Sequence, residues 1–360
     1  MTYLDANATE PLRPVARAAL LEALAVTGNP SSIHAAGRKA RRVLEQAREA
    51  IAATFGTPPA GVVFTSGGTE ANALAIHALG LGRRVIVGAT EHPAIRAAAP
   101  QADILPVDDQ GQAHLAMLRT LLARGPALVC LMLANNETGV LHPVAEAARL
   151  CRDAGALLHV DAVQAAGRIP VSLTELGADS LALSGHKLGG VPGAGALLLA
   201  GDLAVAPLIA GGGQERGRRG GTPALPAIAA FAAAAVDACA HPPDLAALRD
   251  AIEAAAIGAG AVVLGAAAPR LPNTTCLALP GARAETQVIA LDIMGFQVSA
   301  GAACSSGKAA ASEVVAAMGH PELASCSLRV SLPWNATADD AHRFATAYVQ
   351  MAGRLSRQAA

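Results

Sequence analysis

Lys187 is the residue whose position most clearly asks for chemistry. It closes Ser184-Gly185-His186-Lys187, directly after the apolar run Ser180–Ser184 and before Leu188-Gly-Gly-Val-Pro-Gly193. A lysine at the end of a buried-type strand, entering a glycine-rich turn, is badly placed for a structural role, because lysine is rarely buried without a partner. Desolvation lowers the pKa of an amine and makes it a nucleophile. Such a lysine is suited to forming a Schiff base with a carbonyl cofactor, pyridoxal 5'-phosphate (PLP) above all.

A PLP site needs other parts, and the chain offers a candidate for each. Asp161 ends an apolar strand within His159-Val-Asp161-Ala-Val-Gln164. A carboxylate there keeps the ring nitrogen protonated, and Gln164 can donate to the ring hydroxyl. The alternative is a solvated loop aspartate. Thr65-Ser-Gly-Gly68-Thr69-Glu70 joins a strand to a helix. Its glycines let the backbone approach an anion and the helix amino end supplies N–H groups, so it reads as a phosphate cradle or as an ordinary helix cap.

Asn136, in Ala134-Asn-Asn136-Glu-Thr-Gly139, can bond a ring oxygen or a substrate carboxylate, or form a polar turn. His92, in Glu91-His92-Pro93, can stack on an aromatic cofactor or simply precede a helix. The stretch 211–222 is rich in glycine and arginine, which permits mobility, and its arginines and Thr222 suit a phosphate. A flexible solvated loop is the other reading. Arg329 interrupts the apolar strand Leu328–Leu332; its fork suits a carboxylate, and a surface-facing position is the alternative.

Cys304 lies in Ser299-Ala-Gly-Ala-Ala-Cys304-Ser-Ser-Gly-Lys308. A reactive cysteine is accessible and near positive charge, which Lys308 can provide. The other five, Cys130, Cys151, Cys239, Cys276 and Cys326, lie in or near apolar segments and read as core. No CxxC pair or zinc spacing occurs, so no metal is expected and reduced thiols are.

The elements that must position these residues follow from periodicity. Ala40, Leu44, Ala47, Ile51 and Phe55 recur at helical steps. Val62–Thr65, Arg84–Gly88, Ile104–Val107, Ala127–Leu133, Leu157–Val160 and Ser180–Ser184 are strand-type runs. Helical patterns at 70–79, 93–99, 115–123 and 143–154 separate the first five of these strands. That alternation implies an α/β fold with a mostly parallel sheet covered on both faces, its ligand at the carboxyl ends of the strands. After the alanine-rich helix 224–240, His241-Pro-Pro-Asp244 punctuates the chain. Beyond it come a helix, strands near 261–264, 275–279, 297–299 and 328–332, and helices at 285–294 and 338–351. Two units are expected: a large α/β domain over 12–242, and a small α+β domain from 1–11 and 243–360.

The 360 residues are 52% hydrophobic but only 2% aromatic, so alanine, leucine and valine must carry the packing. The net charge of −1, with no basic stripe, gives nucleic acid or an anionic membrane no electrostatic support. No apolar run approaches the length of a membrane span. The start, Met1–Asn7, lacks a signal-peptide pattern, and a cytoplasmic protein is expected.

Taken together, the motifs have an order and spacing that resemble the cysteine desulfurases, fold-type I PLP enzymes of the class V aminotransferase family. The resemblance rests on Tyr3–Thr9, Gly28–His34, Thr65–Glu70, Glu91–Pro93, Asn135–Glu137, His159–Gln164, Ser184–Lys187, Gly211–Thr222 and Ala303–Ser306. The small-residue run before Cys304 is similar to the members with a long cysteine loop that serve iron–sulfur assembly. The resemblance implies a seven-stranded sheet and a homodimer. It implies that Lys187 holds PLP and later moves the Cα proton, that Asp161 pairs with the ring nitrogen, and that His92 stacks on the ring. Gln164 would contact the ring hydroxyl. Gly68, Thr69, Ser184, His186 and, from the partner subunit, Thr222 would hold the phosphate, and Gly185 would also belong to the cofactor-binding residues. Asn136 and Arg329 would orient the carboxylate of L-cysteine. Cys304 would take its sulfur as a persulfide and pass it to a scaffold or carrier protein. Selenocysteine lyase, a class V aminotransferase and a non-enzymatic scaffold are the alternatives. Ser331-Leu-Pro-Trp-Asn335 and Leu188–Gly193 depart from the family pattern.

Overall fold

Short apolar runs become the strands of a seven-stranded sheet. Its spatial order is Val62–Thr65, Gly195–Leu199, Ser180–Ser184, Leu157–Asp161, Ala127–Met132, Arg84–Gly88 and Asp103–Leu105. The computed structural model describes residues 1–301 and 311–359, with side chains through residue 355. Cys304 and Lys308 therefore lie outside the described residues.

Six of the seven strands run the same way, as expected, and Gly195–Leu199 runs against both its neighbours. That strand has no counterpart among the six read from the residue pattern. The physical reason for its direction is the connection. A parallel return needs a crossover of a dozen or more residues, and 185–194 holds only a turn of 3-10 helix. Four strands are buried along their whole length, since helices cover both faces of the sheet. The helix Ala35–Phe55 turns its spaced apolar residues inward. It is capped by His34 and stopped by Gly56, whose φ of +70° suits glycine.

Past residue 258 the order changes to an antiparallel sheet, Ser299–Ala300, Ser327–Ser331, Thr274–Ala278 and Val262–Val263. A separate apolar cluster, including Leu328, Phe344 and Tyr348, lies against it. The chain start returns here: Thr2–Tyr3 pairs with Phe296–Gln297, and Leu4 joins the cluster. The expected single strand at 297–299 is two short ones in different sheets. The last helix extends to Ala359, and short helices at Leu173–Leu176 and Glu313–Ala317 are additional. Within the divergent stretch 331–335, Trp334 donates its indole N–H to Pro11 O (3.0 Å) and lies under the Arg13 guanidinium. Among the described residues, no helix is long and apolar enough to cross a membrane.

Candidate active site

The register levels the ends of two neighbouring strands, Met132 opposite Asp161, and the next strand, with Ala182 opposite Asp161, ends two residues further on at Ser184. The turns that follow open into one cavity of about 520 Å³. Lys187, Asp161, His92 and Asn136 line it, together with Gln164 and Arg329. Gly68, Thr69, Ser184 and His186 line it from the side of the helix Gly68–Leu79. Gly185 does not. A Cβ there would sit 3.0 Å from Phe231 Cβ and 3.1 Å from Ala194 O, so close packing beneath the turn accounts for this glycine. Thr222 is exposed and lies in an adjacent small pocket with Ser66 and Gly193.

The half-buried Lys187 donates its amine to Asn7 O and to Ala8 O (2.9 Å). Asp161 is 6% exposed, which removes the solvated-loop alternative. Burial pushes its pKa up. Hydrogen bonds from Val163 N and Asn72, and the charges of His92 and Lys187, oppose that. Val163 N donates to one carboxylate oxygen at 2.9 Å and Asn72 Nδ2 to the other at 2.7 Å. The network runs deeper. Asn72 Oδ1 meets His159 Nε2 at 2.9 Å, and His159 Nδ1 meets Ser180 Oγ at 2.8 Å. Burial pushes His159 down to about 3, so the ring is neutral. A carboxylate only accepts, so the Asn72 amide nitrogen must face Asp161 and its oxygen His159. Nε2 then carries the ring proton, and Ser180 donates to Nδ1.

Asn72 and Val163 N together therefore fix where the Asp161 carboxylate points. Asn72→Ala would leave Asp161 and His159 each short of a buried partner. The expected loss is roughly 2–5 kcal/mol of unfolding free energy, read by urea denaturation of the PLP-free protein. A loss below about 0.5 kcal/mol, within the range of ordinary surface substitutions, would deny the network its role.

The residues present fit PLP. Among the described residues no side chain caps the amino end of the helix Gly68–Leu79, which faces the cavity with its N–H groups and positive dipole. Gly68 also has a packing reason, since a Cβ would lie 2.7 Å from Val163 Cγ2. Asp161 is a buried carboxylate on the cavity wall, where a cation offsets the cost of its burial. His92 caps the helix Pro93–Ala98, its Nδ1 accepting from Ala94 N at 3.1 Å. His186 is pushed down to about 4, burial first and Lys187 second, and contacts Thr9 Oγ1.

Arg329 is 2% exposed, not surface-facing as its strand pattern allowed. It pairs with Asp5 at 2.7 Å and donates to Asn136 O at 3.1 Å, and its buried Nε has no partner among the described residues. Gln164 donates to Asn7 O and accepts from Arg168. The stretch 211–222 is not the loose loop its composition suggests. Glu215, with left-handed backbone, is buried against Arg48 through two bonds of 2.8 Å. Arg219 grips Glu70 at 2.8 and 3.1 Å. Arg218 donates to main-chain oxygens. These two arginines hold protein groups, where the sequence pointed to a phosphate.

Sequence reasoning missed Asn7, Asn72 and Glu137. Asn7 was visible only as part of the Tyr3–Thr9 motif, yet it links Lys187, Gln164, Asn136 and Thr274. Asn72 lies three residues past Thr69, one helical turn below the cradle, and that spacing was its signal. The five described cysteines are unpaired thiols, four buried and Cys239 half-buried, as core residues should be.

Comparison with known proteins places these features in a family. The family model "Aminotransferase class-V" matches residues 2–344. A protein named cysteine desulfurase from Cereibacter sphaeroides is 42% identical over 94% of this chain and 92% of its own length. Cysteine desulfurase 2 of Trichormus variabilis is 40% identical over 89% of this chain and 84% of its own. The crystal structure of a NifS-like protein from Rickettsia africae superposes with a TM-score of 0.91 at 32% identity, covering 98% of this chain and 99% of that one.

Proposed function

The chain belongs to the aminotransferase class-V family, and from that membership we propose that it is a PLP-dependent cysteine desulfurase. The overall reaction is L-cysteine plus an enzyme thiol giving L-alanine and an enzyme persulfide. One observation carries this reading: Lys187 and the buried Asp161 line the same cavity, beside an uncapped helix amino end.

Lys187 would hold PLP, Asp161 would face its ring nitrogen, and the Ser66–Thr69 turn with Ser184 and His186 would take its phosphate. Bound in this way, PLP supplies an electron sink that labilises bonds to the substrate's Cα and Cβ. Asn136 and Arg329 orient the substrate carboxylate, the arginine already steadied by Asp5. Lys187, held by two carbonyls, carries the Cα proton. Cys304 attacks the substrate sulfur as a thiolate. The Cβ–S bond breaks, an S–S bond forms, and the reduced Cβ becomes the methyl group of alanine. Electrons and hydrogens balance without an outside reductant.

Thr222 is exposed and outside its own subunit's cavity, which supports a homodimer in which it serves the partner's phosphate. The apolar cluster that joins Leu4 to residues from Leu245 onward supports a division into 12–242, and 1–11 with 243–360. We place the protein in the cytoplasm, where the thiols stay reduced and a scaffold or carrier accepts the sulfur. The test is to add PLP to the PLP-free protein, observe a visible absorbance band, and measure alanine released from L-cysteine. Absence of the band in freshly prepared protein would refute the reading.

A further inference from the structure

Glu137 belongs to the turn that presents Asn136, but it does not line the cavity and the reaction above gives it nothing to do. It is 7% exposed. Its main-chain N–H donates to Asn135 Oδ1 at 2.9 Å, which fixes the turn. Its carboxylate accepts the hydroxyl hydrogen of Ser312 at 2.5 Å, with Oε2 as the acceptor. Ser312 in turn caps the helix Glu313–Ala317, accepting from Val315 N at 3.0 Å. On the other side, Gly301 passes over the same carboxylate: a Cβ on Gly301 would lie 2.8 Å from Glu137 Oε2. Gly301 is held there by its N–H bond to Ser327 O at 3.1 Å.

Gly301 and Ser312 flank the segment that carries Cys304. One buried carboxylate thus bonds Ser312 on one side of that segment and leaves no room for a side chain at Gly301 on the other. We infer that Glu137 is a positioning residue, holding Ser312 and abutting Gly301, so that the Asn136 turn facing the substrate also sets the two residues that flank the Cys304 segment. The inference rests on the desulfurase reading, because only there must Cys304 meet the substrate.

Among the described residues, the charged and titratable groups around Glu137 are Arg329 on the strand Ser327–Ser331, Glu313 beside Ser312, His92 at the cap of Pro93–Ala98, and Cys276 on Thr274–Ala278. Burial outweighs the lowering effects of Ser312, Arg329 and His92, and Glu137 is raised to about 7. Its charge therefore changes in the neutral range. The ionised form is the stronger acceptor for Ser312, so the tie tightens as pH rises through that value. Arg96 on the helix Pro93–Ala98 pairs with Glu313, which ties the helix Glu313–Ala317 to a second neighbour.

The experiment uses the PLP-loaded protein. Glu137→Ala and Ser312→Ala cut the bond from either side. Both variants are expected to keep PLP absorbance and to lose about tenfold to a hundredfold in kcat for alanine formation, as misplaced reacting groups do. KM for L-cysteine should change less than kcat. Glu137→Gln keeps an acceptor oxygen for Ser312 but cannot ionise. It should restore most of kcat and lack the component of the pH profile centred near pH 7. In PLP-free protein, alkylation of Cys304, followed by peptide mass, should be faster in both alanine variants than in the wild type.

Wild-type kcat in both alanine variants overturns the tie. So does a parallel loss of PLP binding, which would put Glu137 in the cofactor pocket. Should one alanine variant fail to fold, the other and the glutamine variant still decide. A wild-type protein that releases no alanine from L-cysteine refutes the desulfurase reading instead, and the alkylation comparison still reads the tie.

Discussion

Lys187→Ala is expected to lower alanine formation by roughly a thousandfold or more and to leave PLP only reversibly bound. Two functions leave with one side chain: the covalent hold on the cofactor and the proton carrier at Cα. Proton transfer alone accounts for about 10² to 10⁴ in rate. The fold is expected to survive. Lys187 is half-buried at the cavity wall, and the carbonyls of Asn7 and Ala8 that it engages can accept from water instead. The check is gel filtration after loading with PLP, with visible absorbance of the protein peak and alanine measured by chromatography. A variant that keeps the cofactor through the column and turns over within about tenfold of wild type would remove Lys187 from the centre of the mechanism.

Cys304→Ser separates the desulfurase from its relatives in the class V family. A hydroxyl is a far weaker nucleophile toward sulfur than a thiolate. Persulfide formation is expected to vanish and sulfur removal to fall about a thousandfold or more. PLP absorbance and its response to L-cysteine are expected to remain, because every residue assigned to cofactor and carboxylate binding lies elsewhere. An aminotransferase needs no such thiol and would keep its rate. Unchanged sulfide release from the serine variant would therefore favour a different nucleophile.

The parts of the site legible in the sequence were those that follow a continuous apolar run. Asp161, Lys187 and the Thr65–Glu70 turn each end a strand that helices bury on both faces, and parallel strands deliver their carboxyl ends to one edge. A polar residue at that point reads as functional from local sequence alone. What stayed hidden depends on contacts between distant segments. Asn72 acts on a carboxylate 89 positions away. Ser312 reaches Glu137 across 175 positions. No periodicity encodes such pairs. The strand Gly195–Leu199 is itself a short apolar run; only its antiparallel direction depends on the short turn before it. The stretch 211–222 shows the same limit: its composition suggests mobility, but Arg48 and Glu70, both on remote helices, hold Glu215 and Arg219 within it.

The central claim is that sulfur leaves L-cysteine for Cys304. The direct measurement is the peptide mass of Cys304 after brief incubation of the PLP-loaded protein with L-cysteine and no added thiol, with alanine quantified in the same sample. The account predicts one added sulfur atom on Cys304 and an equal amount of alanine in the first turnover. Alanine without that mass increase, or with the sulfur on one of the other five cysteines, would contradict it.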